Sequence, residues 1–139
     1  MAFPKENRAD MQWARSQARL IAKRRPSADV YFRSLPNKRS LTALLADSSI
    51  WVSYYTGETQ RGCYYYQNGY HEIGLSYFAF RTRDQALGTL LHELAHAGGA
   101  PGDTSQAESA LIHCGLGTMT ELRSGIDDPK TPYRPGIIG

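Results

Sequence analysis

Asn68-Gly69 stands between two runs of aromatic and β-branched residues, Cys63 to Gln67 and Tyr70 to Phe80. A two-residue connection needs positive φ at its central positions, which Asn and Gly tolerate, so the pair predicts a hairpin of antiparallel strands. A third run, Ile50 to Tyr55, brings the sheet to three antiparallel strands. In the last of them Ile73, Leu75, Tyr77 and Ala79 share one face by period-two alternation.

On either side of this block the apolar spacing becomes helical. Ala9 to Pro26 places Met11, Ala14, Ala18 and Ile21 on one face, with Asp10 as its cap and Pro26 as its stop. Arg39 to Ser49 reads as a short second helix, with Ser40 as N-cap and Leu41, Leu44 and Leu45 on one side. After the sheet, "RDQALGTLLHELAHAGG" is a long helix capped by Asp84 and stopped by Gly98-Gly99, and Thr104 to Gly115 is a fourth. The remainder, 118–139, carries too many Gly and Pro for regular structure beyond a turn around Met119 to Leu122. The expected fold class is α+β: a small antiparallel β-sheet with N-terminal helices, then a long helix and a second C-terminal helix. At 139 residues this is one domain, 1–139.

Composition narrows the function classes. Hydrophobic residues make up 41% and charged residues 21%, unlike disordered or collagen-like chains. The net charge of +3 is concentrated in Ala22 to Arg39, read as a solvated helix end and turn; Lys23, Arg24, Arg25, Lys38 and Arg39 alone do not make a nucleic-acid interface. No apolar run reaches the roughly 18 residues of a membrane span, and "MAFPKENRADMQ" lacks the apolar centre of a secretory signal. If exported, the chain is expected to leave the cell as part of a larger secreted protein or by a signal-independent route. Cys63 and Cys114 lack Cys-x-x-Cys spacing and read equally as one disulfide or as two buried thiols.

The chemistry lies in "HELAH". At about 100° per residue, His92 and His96 stand one above the other on a helix, and Glu93 lies on the same side. Leu87, Leu90, Leu94 and Ala97 gather on the opposite side, and the preceding turn offers Gln85, Gly88 and Thr89. Core histidines would sit among the leucines, so this face is expected to lie uncovered, meeting another element or a ligand. Neutral imidazoles at i and i+4 bind Zn²⁺ from one side and leave room for a third ligand and water. Glu93 then serves as general base and acid.

"HELAH" after an aromatic-rich strand resembles the active-site helix of zincin metallopeptidases. The longer run "LLHELAHAGGAPGDTSQAESALIHCGL" is similar to small bacterial zincin domains, some of which look like toxin modules of secreted effectors. The resemblance implies an acidic third ligand. The metzincin pattern is disfavoured, because Gly102 occupies the position where it needs a ligand. A gluzincin pattern selects Glu108; an aspzincin pattern selects Asp103, where Gln106 stands in place of its following tyrosine. Both carboxylates have a structural alternative, Glu108 in a capping box with Ser105 and Asp103 as a helix cap. His113 and Cys114 are read as packing rather than as ligands, and His71-Glu72 lies in a strand, where neighbours diverge. The resemblance further implies that Tyr70 to Phe80 pairs with extended substrate, and an oxyanion stabiliser is required, for which Tyr77 is the candidate.

The expected function is that of a zinc-dependent metalloendopeptidase with a shallow cleft, a secreted bacterial effector or toxin domain by resemblance, with a peptide or protein substrate and an inhibitor or immunity protein as partners. No nucleic-acid or membrane partner is expected. The alternatives are a zinc-dependent amidase acting on peptidoglycan and a catalytically silent zincin-fold binding module.

Overall fold

Pro26 divides its flanking sequence into two helices. The computed structural model describes residues 2–56, 61–102 and 104–116, and in it α1 spans Lys5–Arg24 and α2 spans Pro26–Ser34. Proline fits the first position of a helix, where no N–H is needed, and forces the residue before it out of helical geometry. Arg25 accordingly adopts φ −119° and ψ 92° between the two. The basic segment expected to be a helix end and turn is thus largely a helix of its own. α1 also starts a turn before Ala9, with Pro4 rather than Asp10 as its cap.

The buried stripe of α1, Met11, Ala14, Ala18 and Ala22, lies on the later central helix. Short side chains let the two backbones approach closely. α3 spans Leu41–Leu45 and begins as expected, Ser40 accepting the Ala43 N–H at 3.0 Å. Phe32, Leu41 and Leu44 enter the core with it.

The strands are β1 (Ile50–Tyr55), β2 (Gly62–Gln67) and β3 (Tyr70–Ser76), in the order β1-β3-β2. The Asn68-Gly69 hairpin forms, with φ 52° and 86° at the two residues, and makes β2 and β3 antiparallel. β1 pairs with the far edge of β3 in parallel, so the sheet is mixed rather than antiparallel. The reason lies in β3: Ile73 and Leu75 are the fully buried apolar residues of the strands, and a strand with such a core face takes the centre, with its sequence neighbours on either edge.

β3 stops at Ser76, whose hydroxyl accepts the Phe78 N–H at 3.2 Å and starts a 3₁₀ turn over Tyr77–Phe80. Tyr77 therefore leaves the face it was expected to share with Ile73 and Leu75 and is 67% exposed. A central β3, hydrogen-bonded on both sides, also has no free edge for substrate. The register places Gly62, Tyr64, His71, Ile73 and Leu75 on one face and Trp51, Tyr65, Tyr70 and Glu72 on the other.

α4 spans Arg83–Ala97 and crosses the first of these faces. Its cap is Thr82, which accepts the Gln85 N–H at 3.1 Å, rather than Asp84, which lies in the first turn. At the other end Gly99 takes φ 103°, a conformation that favours glycine. α5 spans Gln106–His113 against α4. α2 holds it there through Tyr31 Oη donating to Gln106 O at 2.7 Å and Ser27 Oγ donating to His113 O at 2.9 Å. The layout is α+β. Among the described residues no helix is long and apolar enough to cross a membrane. Cys63 and Cys114 are both free thiols. The expected irregular segment, 118–139, lies outside the described residues.

Candidate functional site

Gln85, Thr89, His92, Glu93 and His96 form a polar stripe along α4, the result of placing polar residues at helical spacing opposite Leu87, Leu90 and Leu94. This stripe was expected to meet another element or a ligand. It meets β2 and α5, which close over it, so that His92 is 6% exposed, Glu93 5% and Thr89 0%. His96 is half-buried, so the constellation meets solvent at its end. A buried polar stripe must find partners or be costly, and its partners explain much of the local architecture.

Glu108 is the first of them. Its Oε1 lies 3.1 Å from Nδ1 of His92, both side chains being almost fully buried. The capping-box alternative is not realised: Ser105 makes no side-chain cap hydrogen bond at the start of α5, and the carboxylate faces α4. Asp103 lies outside the described residues.

The rings of His92 and His96 meet edge to face with centroids 5.0 Å apart. Nδ1 of His96 is 2.8 Å from the carbonyl oxygen of Ala100, a contact in which the nitrogen donates and the ring's Nε2 carries the lone pair. That is how a second hydrogen bond fixes the tautomer of a ligating imidazole. The Gly98-Gly99 turn makes it possible by folding the chain back beneath the helix end.

β2 supplies residues that the sequence reading did not single out. Gly62 lies so close to α4 that a β-carbon there would stand 2.6 Å from Cγ2 of Thr89 and 3.1 Å from Cγ and Oε1 of Glu93. Two residues on, and so on the same face, Tyr64 stacks on His96 with centroids 6.1 Å apart. The Tyr64 hydroxyl is 2.5 Å from Nδ1 of His71, whose ring also stacks on it. Burial lowers the pKa of His71, and Arg39 adds to this against the opposing charge of Asp47. Burial raises that of the Tyr64 phenol, with Tyr66 adding to it. At neutral pH the pair is therefore an uncharged phenol and imidazole. The only sequence sign of these roles was the hairpin register, which puts Gly62 and Tyr64 on one face but does not say what that face covers.

The remaining sequence candidates are placed elsewhere. Tyr77 is exposed in the 3₁₀ turn. His113 stacks on Tyr31 at 4.3 Å and its Nδ1 meets Ser109 O at 2.9 Å, the packing role expected of it. Burial pushes the thiol of Cys114 up to about 12, while burial and then the charge of Glu93 push that of Cys63 up to about 11. Neither is a thiolate at neutral pH. Within the basic segment, Arg39 pairs with Asp47 at 2.6 Å, and the Arg25 guanidinium covers Gly115 beyond α5. A surface cavity bordered by Arg15, Arg19, Asp47 and Leu94 lies on the opposite flank of α4 and shares no residue with the stripe.

His92, His96 and Glu108 have the donor chemistry of a zinc site, with N and O atoms as zinc prefers. The 3.1 Å between His92 and Glu108 suits two ligands at about 2.0–2.2 Å from one ion. Among the described residues, however, no group of three His, Cys, Asp or Glu side chains meets as a metal site; the fit is one of donor chemistry. Comparison with protein-family models, with curated proteins and with solved structures found no match. The functional reading rests on the chemistry of the stripe and its partners.

Proposed function

We propose that the protein is a zinc-dependent metallohydrolase of the zincin type that cleaves peptide bonds, with His92, His96 and Glu108 as ligands. The observation that carries this reading is the buried contact between His92 and Glu108 on a helix that also presents His96 and Glu93. Zinc, when bound, polarises a water and lowers its pKa toward about 7. Glu93, on the turn between the two histidines, would take that water's proton and return it to the leaving amine. Neither histidine needs Glu93 in order to bind a metal, so its place beside them supports catalysis over metal binding alone.

Tyr64 takes the role for which Tyr77 was the sequence candidate. Its ring lies on His96, and the hydroxyl shared with neutral His71 can turn a hydrogen bond toward an oxyanion as charge develops there. The edge strand β2, rather than β3, is the strand that extended peptide would join. The closure of β2 and α5 over the stripe supports entry from the His96 end.

A second reading keeps the fold without the chemistry. The three donors do not converge among the described residues, which favours a silent module in which His92 and Glu108 join α4 to α5. Zinc content by elemental analysis and cleavage of unfolded casein, each on wild type and Glu93→Gln, test the proposal. One zinc per chain in both, with cleavage lost only in Glu93→Gln, is the expected result. Wild-type protein that takes up no zinc after reconstitution overturns it.

A further inference from the structure

Two buried polar atoms near the N-terminal end of the stripe have no hydrogen-bond partner among the described residues: Nη1 of Arg61 and Oε1 of Gln85. Arg61 is 5% exposed and Gln85 4%. Arg61 immediately precedes Gly62, the residue that lies against Thr89 and Glu93. Gln85 lies one turn before Thr89, whose hydroxyl donates to its backbone carbonyl at 2.8 Å. The two residues thus adjoin the Gly62–Thr89 contact, Arg61 along the chain of β2 and Gln85 along α4.

The charges around Arg61 point the same way. Burial lowers its pKa, Arg81 lowers it further, and Glu108 opposes both. A guanidinium is therefore buried within electrostatic reach of the carboxylate that touches His92, with a second, exposed guanidinium nearby. Burying an N–H of a charged group without an acceptor is costly, and a native fold that does so calls for a partner that the described residues do not supply. Arg61 Nη1 requires an acceptor and Gln85 Oε1 requires a donor. The last residue of a peptide carries both, a carboxylate and an amide N–H on the same α-carbon.

We propose that Arg61, flanked by Arg81, and Gln85 form a subsite for the C-terminal residue of a peptide, Arg61 donating to the free α-carboxylate and Gln85 accepting the amide N–H. The subsite deepens the peptidase reading, on which it rests for its position next to Glu93, and directs cleavage to a bond close to a peptide's C-terminus. Arginine suits the task because its planar fork matches a carboxylate and keeps its charge when buried.

Calorimetric titration of the full chain with three probes tests this: N-acetyl-trialanine with a free carboxylate, the same peptide as its C-terminal amide, and N-acetyl-Glu-Ala-Ala amide, whose only carboxylate is a side chain. The free acid is expected to bind at least about tenfold more tightly than either amide, the size of a hydrogen bond to a charged group. Arg61→Ala should abolish the preference, Arg61→Lys should restore part of it, and Arg81→Ala, a surface change, should reduce it in a folded protein. Equal affinity for acid and amide, or no binding of either, overturns the proposal and leaves the two atoms to solvent. Preference for the glutamyl amide overturns the C-terminal assignment. Because the wild-type comparison needs neither zinc nor turnover, acid preference without hydrolysis leaves the subsite standing and removes the peptidase reading. Hydrolysis without acid preference does the reverse.

Discussion

Glu108 and His92 face each other across the α4–α5 interface at 3.1 Å, and each is almost fully buried. The contact joins a residue of the His-Glu-x-x-His pattern to a carboxylate sixteen positions away by sequence numbering. It places Glu108 against His92, while Asp103 lies outside the described residues.

Glu108→Ala should lower both stability and zinc uptake. Removing one partner of a buried polar pair costs about 1–3 kcal/mol, measured by urea unfolding. Zinc per chain, measured by elemental analysis, should fall well below that of wild type, while Asp103→Ala retains it. Loss of stability with full zinc retention would assign Glu108 to packing alone.

Tyr64→Phe keeps the ring on His96 and removes the hydroxyl shared with His71. An oxyanion role predicts a drop of about 10² in kcat with little change in KM, and a stability cost of only about 1 kcal/mol. His71→Phe should produce a similar loss, and the double variant no more than either alone, as expected of groups acting through one hydrogen bond. Additive losses would separate the two residues.

Gly62→Ala tests how closely β2 lies on the helix. The added β-carbon would meet Cγ2 of Thr89 at 2.6 Å, and overpacking of this kind costs about 1–3 kcal/mol. Thr89→Ser deletes that methyl but keeps the hydroxyl that bonds Gln85 O. In the Thr89→Ser background, therefore, Gly62→Ala should cost less, as measured by the difference in urea midpoint.

Acid stability should depend on Asp47. Hydrogen bonds from the Ser49 hydroxyl and backbone N–H, and then from Arg39, hold its carboxyl at about 2 against an ordinary value of 3.8. A depressed carboxylate contributes stability that is complete above its unfolded pKa and is lost as pH falls through the folded one. Asp47→Asn should therefore be less stable than wild type above about pH 4, and the gap in Tm should narrow between about pH 4 and pH 2. A gap independent of pH would refute the assignment.

Local chemistry made much of this legible from the residues alone. Asn68-Gly69 specified its own hairpin, Ser40 its own cap, and the spacing of His92, Glu93 and His96 their common side of α4, because each depends on atoms a few positions apart. Thr82 was passed over for Asp84 as a cap because both are acceptable residue types within one turn. Pro26 was read as an end when it is also a beginning, since the same missing N–H that stops one helix is harmless at the first position of the next.

Short-range sterics and periodicity set the helical pair of histidines, the hairpin and the α+β composition of the chain, and these could be read directly from the residues. Long-range packing set the rest: β1 pairs with β3 in parallel, β2 covers the histidine face, and Tyr64 stacks on His96 with His71 behind it while Tyr77 turns away. Those outcomes depend on which apolar faces bury each other, Ile73 and Leu75 beneath α4 above all. Burial is a property of the whole fold rather than of any segment within it.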